Sequence, residues 1–144
     1  MYTGLQHAHS GLAYLVLIAL IVVIFLMLIG SLSGREFTEK DRKIALIAFI
    51  LSHVQLLLGL ILYFVSPVGL SLLQGGGAMS DPAARLTALE HPLINIVAIV
   101  LITIGYSRAK KAQTSRAKFR SIYMLYAVGL VLILSRIPWS AWLG

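Results

Sequence analysis

The chain has 144 residues, of which 59% are hydrophobic and only 12% charged, with a mean hydropathy of +0.92. Soluble domains carry roughly 45–50% apolar and about 25% charged residues, so a soluble domain and a solvated disordered chain are both excluded and a polytopic membrane protein remains. The net charge is +7 and cysteine is absent, which removes disulfides, thiolate zinc sites, cysteine-held iron–sulfur clusters and cysteine nucleophiles and leaves histidine and carboxylate chemistry.

Four apolar stretches, each near the ~20 residues that a helix needs to cross hydrocarbon, predict an all-α integral membrane four-helix bundle. It forms one domain over 1–144, with helices over roughly 8–31, 43–65, 82–107 and 120–140. The opening residues MYTGLQHAHSG hold no Lys or Arg, so they lack the cationic region of a cleaved signal peptide and the first helix is expected to stay. Arg35, Lys40, Arg42 and Lys43 separate helices one and two. After helix two comes a loop rich in helix breakers, from Ser66-Pro67 through Gly75-Gly76-Gly77, and then Ser80-Asp81-Pro82, a cap followed by proline at a first helical position. Arg108, Lys110, Lys111, Arg116, Lys118 and Arg120 separate helices three and four.

By the positive-inside rule both basic loops are cytoplasmic, so both termini and the glycine-rich loop face the outer, periplasmic side. Trp139, Trp142 and Tyr2 then fall in an outer aromatic belt, and Tyr106 and Tyr123 in an inner one. The expected setting is the inner (cytoplasmic) membrane of a bacterium, with the lipid bilayer as partner and no nucleic acid. Gly59, Gly105 and Gly129 are expected to let helices approach closely.

Ionisable groups within a membrane are costly, so each is a candidate for function. The set is short: His7 and His9 at the outer start of helix one, His53 inside helix two, Glu90 and His91 in the outer part of helix three, and Arg136 in the outer part of helix four, with Gln55 and Asn95 as neutral additions. Counting at about 1.5 Å per residue from the inner boundaries puts His91 and Arg136 at one level, with His91 about 7 Å from the level of His53 and about 9 Å from that of His9. His53 and His9 differ by about 16 Å and cannot share a metal. Tilt and an expected kink at Pro92 can absorb several ångströms, so depth leaves both pairings with His91 open.

Two neutral imidazoles reaching into a bundle from different helices suit a haem iron, and Arg136 supplies a cation for a propionate. Asn95 and Thr87, each four residues from His91, share its helix face and are placed to orient its imidazole. The competing readings are structural polar packing and histidine-bound copper or zinc. His7 and His9 also read as solvated interfacial side chains, His53 as a packed group satisfied by Ser52, Gln55 or a helix carbonyl, and Glu90 as an outer charge near Arg85 or Arg136.

Gln6-His7-Ala8-His9-Ser10-Gly11-Leu12-Ala13-Tyr14, Gln55-Leu56-Leu57-Leu58-Gly59 and Leu89-Glu90-His91 resemble, in that order, elements of one haem-binding bundle of the haem A synthases. Small membrane proteins of the cytochrome b type are similar in size and layout. The resemblance implies His9 and His91 as the axial ligands, with Gln6 and Tyr14 in the same element as His9; Arg136, Asn95 and His53 are the further residues expected around the cofactor from their own chemistry and position. The family's Glu is Gln6 here and its Arg is Ser10, positions associated with oxidative chemistry, and half the family's length is missing, which a parallel homodimer would restore.

The function expected is that of a membrane cytochrome with a b-type haem near the outer leaflet, exchanging electrons with a quinone or respiratory-chain protein. The alternatives are a half-size haem A synthase-like oxidase acting as a dimer, and a non-catalytic haem carrier or accessory subunit of a respiratory complex.

Overall fold

The computed structural model describes residues 1–143 and is helical, with no strand among the described residues. Four long helices, each apolar enough to cross a membrane, are α1 (Tyr2–Leu32), α2 (Glu39–Val65), α4 (Pro82–Lys111) and α5 (Ser115–Ser135). Short helices α3 (Leu70–Gln74) and α6 (Trp139–Leu143) follow α2 and α5. Large apolar side chains such as Leu15, Ile18, Phe25, Leu57, Phe64 and Val131 are exposed on their outer faces, a surface suited to lipid and not to water. The chain is a multi-pass membrane protein, and the bilayer is its solvent.

The long helices overrun the predicted spans because hydropathy marks the hydrocarbon and not the end of the helix. At 31 residues, α1 is about 46 Å long against a hydrocarbon core of about 30 Å, so His7 and His9 ride on a helical extension that begins at Tyr2. Helix α2 starts at Glu39 because Thr38 and Asp41 form a capping box, the Asp41 carboxylate accepting from the Thr38 N–H at 2.8 Å. The same carboxylate, 4% exposed, takes both arms of Arg35 at 2.7 and 2.8 Å, and that hydrogen-bonded charge holds the Arg35 guanidinium above its ordinary range. Thr114 caps α5, accepting from the Ala117 N–H at 3.1 Å, so that the helix starts at Ser115, five residues before the predicted start. The predicted fourth helix over 120–140 is corrected at its far end: α5 stops at Ser135, since Pro138 cannot supply the N–H that would continue it, and α6 resumes at Trp139.

Asp81 caps α4 and Pro82 opens it, as the sequence predicts. The expected distortion at Pro92 takes the form of a π-turn over Leu86–Glu90. Proline has no N–H for the carbonyl four residues back and its ring crowds that carbonyl. The carbonyl is that of Ala88, and the Tyr63 hydroxyl donates to it instead at 2.8 Å.

In the bundle α1 packs on α2 and α5, and α4 packs on α2 and α5, so α1 and α4 face each other across the diagonal. The half nearer the basic loops is tightly filled by Leu20, Met27, Ile102, Phe119, Ile122 and Tyr126. Glycines set the approach there. A Cβ on Gly105 would stand 2.9 Å from that of Leu125, and one on Gly129 would stand 3.1 Å from Ile102 Cγ1 and 3.2 Å from the Ala98 carbonyl oxygen. The Tyr126 hydroxyl donates to the Ala45 carbonyl and the Ser121 hydroxyl to that of Gly105, both at 2.9 Å, tying α5 to α2 and α4 with bonds that have no water to compete with them.

Candidate functional site

The other half of the bundle is hollow. A cavity of about 690 Å³ lies at the end opposite the basic loops, walled by Val16, Leu17, Leu56, Leu60, Ile99, Ile133 and Ile137, with a few polar groups among them. That volume lies within the roughly 300–1,000 Å³ usual for small-molecule and cofactor sites.

His9 from α1 and His91 from α4 reach into it across the diagonal. Their ring centres are 6.4 Å apart and the ring planes cross at 80°. The sequence-based offset of about 9 Å between their levels is corrected by the true helix ends: α4 continues to Lys111, raising His91 by about 7 Å, and α1 to Leu32, raising His9 by about 3 Å, which roughly halves it.

Each ring is held by its surroundings. Nδ1 of His91 lies 2.9 Å from the carbonyl oxygen of Arg136. A carbonyl only accepts, so Nδ1 carries the proton and Nε2 presents its lone pair. Asn95, one turn along α4, donates from Nδ2 to the His91 carbonyl at 2.6 Å and abuts Nδ1 at 3.2 Å, bracing the ring. Thr87 lines the cavity but its hydroxyl turns back to the carbonyls of Ala83 and Ala84, so of the two expected supports only Asn95 touches the imidazole.

His9 packs against Gly59 of α2, where an added Cβ would lie 3.0 Å from its Cε1. Gly59 thus makes room for an imidazole, whereas Gly105 and Gly129 make room for a neighbouring helix. Gln55, one turn before Gly59, donates from Nε2 to the His9 carbonyl at 2.8 Å. His9 Nδ1 and Gln55 Oε1 are buried without hydrogen-bond partners among the described residues.

The remaining candidates separate. Gln6, Ser10 and Tyr14 border the cavity, the Tyr14 ring lying 4.7 Å from that of Trp142, and exposed His7 sits at its rim. His53 does not line the cavity. Its Nδ1 is 2.6 Å from the Phe49 carbonyl oxygen and its Nε2 is 3.0 Å from Thr103 Oγ1, while the ring stacks 4.1 Å from Phe49. The expectation of His53 as a cofactor contact is therefore corrected: both its nitrogens are occupied, one by a helix carbonyl, that of Phe49, as the packed reading allows, and the other by Thr103 rather than Ser52 or Gln55. Arg136 is corrected likewise. Its guanidinium lies outside the lining and pairs with Glu90 at 3.8 Å, while Arg85 approaches the same carboxylate at 3.1 Å. What Arg136 brings to the site is its backbone carbonyl.

Among the described residues no cluster of three or more His, Asp or Glu is placed to hold a metal ion, so the cavity offers two imidazoles and neutral amides. No family model matches the chain and no solved structure matches it. The chain is 27% identical over 110 residues to NADH-quinone oxidoreductase subunit N 1 of Rhizobium meliloti (strain 1021), covering 76% of this chain. It spans about a fifth of that relative's length.

Proposed function

We propose that the chain is a membrane b-type cytochrome that holds one haem between His9 and His91 and exchanges electrons with a quinone or a respiratory-chain protein. The observation that carries this reading is the 6.4 Å between the ring centres of two histidines that line one apolar-walled cavity from different helices. Two imidazoles from different helices at that separation are close enough that one metal ion between them could be held by both. Nδ1 of His91 is occupied, which leaves its Nε2 as the ligand nitrogen, and His9 has a buried ring nitrogen, Nδ1, without a hydrogen-bond partner among the described residues. Two side-chain ligands suffice for a haem iron, whose other positions the macrocycle fills, whereas a zinc ion takes three or four.

A haem held by His9 and His91 would supply a one-electron couple. The chain's own part is to fix and insulate. The Arg136 carbonyl sets the His91 tautomer and Asn95 limits the ring's rotation. Gly59 admits the His9 ring beside α2, and Gln55 anchors the backbone from which it projects. The isoleucine and leucine walls exclude water. Gln6 and Ser10, standing where the haem A synthases carry Glu and Arg, favour electron transfer over haem oxidation.

The similarity to a subunit of NADH-quinone oxidoreductase favours a respiratory setting in a bacterial inner membrane, and with it a second reading as an accessory subunit of a respiratory complex. A reduced-minus-oxidised absorption spectrum of detergent-purified protein tests both. Sharp low-spin bands are expected from the parent and from His53→Ala, with loss or conversion to high spin in His9→Ala and His91→Ala. A colourless protein that also fails to take up added hemin overturns the cytochrome and leaves the accessory subunit, which co-purification with a larger complex would then identify.

A further inference from the structure

At the opposite end of the bundle a second hollow, of about 330 Å³, opens between α2, α4 and α5. Cations from all three helices line it, Arg42, Lys110 and Lys118, together with the aromatic rings of Phe37 and Tyr106. Arg42 is pinned in place, donating from Nε to Glu39 at 2.7 Å and from Nη1 to the Tyr106 hydroxyl at 2.8 Å. Because that hydroxyl accepts, its own proton remains to be donated, and it finds no acceptor among the described residues although Tyr106 is only 7% exposed.

The Lys110 ammonium stands 5.7 Å over the Tyr106 ring and that of Lys118 5.9 Å over Phe37, with one Lys118 proton donated to the Ala109 carbonyl at 2.9 Å. Among the described residues neither lysine has a carboxylate within ion-pair distance, and Glu39 is the acid that borders the hollow. The hollow is thus positive, fixed in shape by Arg42 and Tyr106, and supplied with N–H and O–H donors that lack an acceptor.

We propose that this hollow binds the phosphate headgroup of an anionic membrane lipid. A phosphate offers several acceptor oxygens and a negative charge that the two unpaired ammonium groups attract. Basic pockets between transmembrane helices on the cytoplasmic side suit such headgroups. The lipid is favoured over free phosphate because the same helices carry exposed apolar residues further along, Ile47 on α2 and Ile104 on α4, against which acyl chains can lie.

The test uses the full chain in detergent, with lipid retention read by native mass spectrometry and thermal stability read alongside. Phosphatidylglycerol should be retained and stabilising, while phosphatidylcholine and inorganic phosphate should not. Each of Lys110→Gln and Lys118→Gln should weaken phosphatidylglycerol retention about fivefold, and the pair about twenty-five-fold. The exposed pair Arg108→Gln with Arg116→Gln removes the same charge outside the hollow and should change retention less than twofold. Helical circular dichroism shows whether each variant folds, and Lys110→Gln, which breaks no hydrogen bond, keeps the test open if Lys118→Gln does not. Equal losses from both pairs, equal retention of phosphatidylcholine, or stabilisation by inorganic phosphate alone would overturn the proposal.

Discussion

The Tyr63 hydroxyl donates to the Ala88 carbonyl, the one acceptor in α4 that Pro92 leaves without its helical N–H. The two features form a matched pair on different helices. Proline opens the backbone into a π-turn, and a tyrosine from α2 satisfies the carbonyl of Ala88, a residue with no exposed surface.

Tyr63→Phe should therefore destabilise the bundle by about 1–3 kcal/mol, the cost of leaving a buried carbonyl unsatisfied. In a Pro92→Ala background the same change should cost less, because the substituted alanine has an N–H of its own to donate to that carbonyl. A double-mutant cycle by denaturant unfolding in mixed micelles measures the coupling. Independent, additive losses would mean that the hydroxyl does not answer for the missing N–H.

Gly59→Ala sets a methyl group 3.0 Å from His9 Cε1 and should push the imidazole from its position, lowering haem retention and broadening the low-spin bands. Gly105→Ala meets Leu125 and the Ser121 carbonyl instead, and should cost about 1–3 kcal/mol of stability with an unchanged spectrum. The two glycines are told apart by recording absorption and thermal unfolding on both variants.

Thr103→Val removes the hydrogen-bond partner of His53 Nε2 without changing shape much. A loss of about 1–3 kcal/mol with no spectral change is expected, since His53 joins α2 to α4 and does not line the cavity. If the protein binds haem as proposed, a shifted spectrum in Thr103→Val would return His53 to the proposed site.

Asp41→Asn keeps the volume of a buried side chain but removes the charge that both arms of Arg35 grip and the carboxylate that caps α2. Because Arg35 is partly exposed and water can solvate it once released, the loss should stay at about 1–2 kcal/mol, near that of a helix cap. Hydrogen exchange should rise first over the initial turns of α2, and faster exchange spread evenly over the bundle would argue against a local cap.

Much of this was legible in the residue order. Hydropathy located four spans because lipid solvation acts on every residue of a crossing helix, and Asp81-Pro82 marked the start of α4 because capping is decided within a turn. Helix ends were less legible, because Tyr2, Glu39 and Lys111 are polar or interfacial residues that remain helical beyond the hydrocarbon. His9 and His91 stood out as costly groups near one end, but which histidine faced which depended on helix lengths that hydropathy underestimates.

Arg136 shows a different limit. A sequence displays side chains, so the guanidinium attracted attention, while the group that touches His91 is a carbonyl exposed by a helix that stops at Ser135. Pro138 announced that stop, and a helix end brings free acceptors with it. The role of Gly59 was hidden for a related reason: glycine signals a close approach but not whether a helix or a ring makes it. The T-x-x-D spacing of Thr38 and Asp41 was a readable capping signal that hydropathy alone passes over.

The diagonal relation of α1 and α4 bears on how the bundle comes apart. At the hollow end the packing of these two members on each other is slight, so a ligand bound between them would act there as a cross-brace, while glycine contacts clamp the other end. Emptying the hollow should leave the far end seated and let the near end breathe, so that loss of the ligand is felt first as a loosening of one rim and only later as unfolding of the whole.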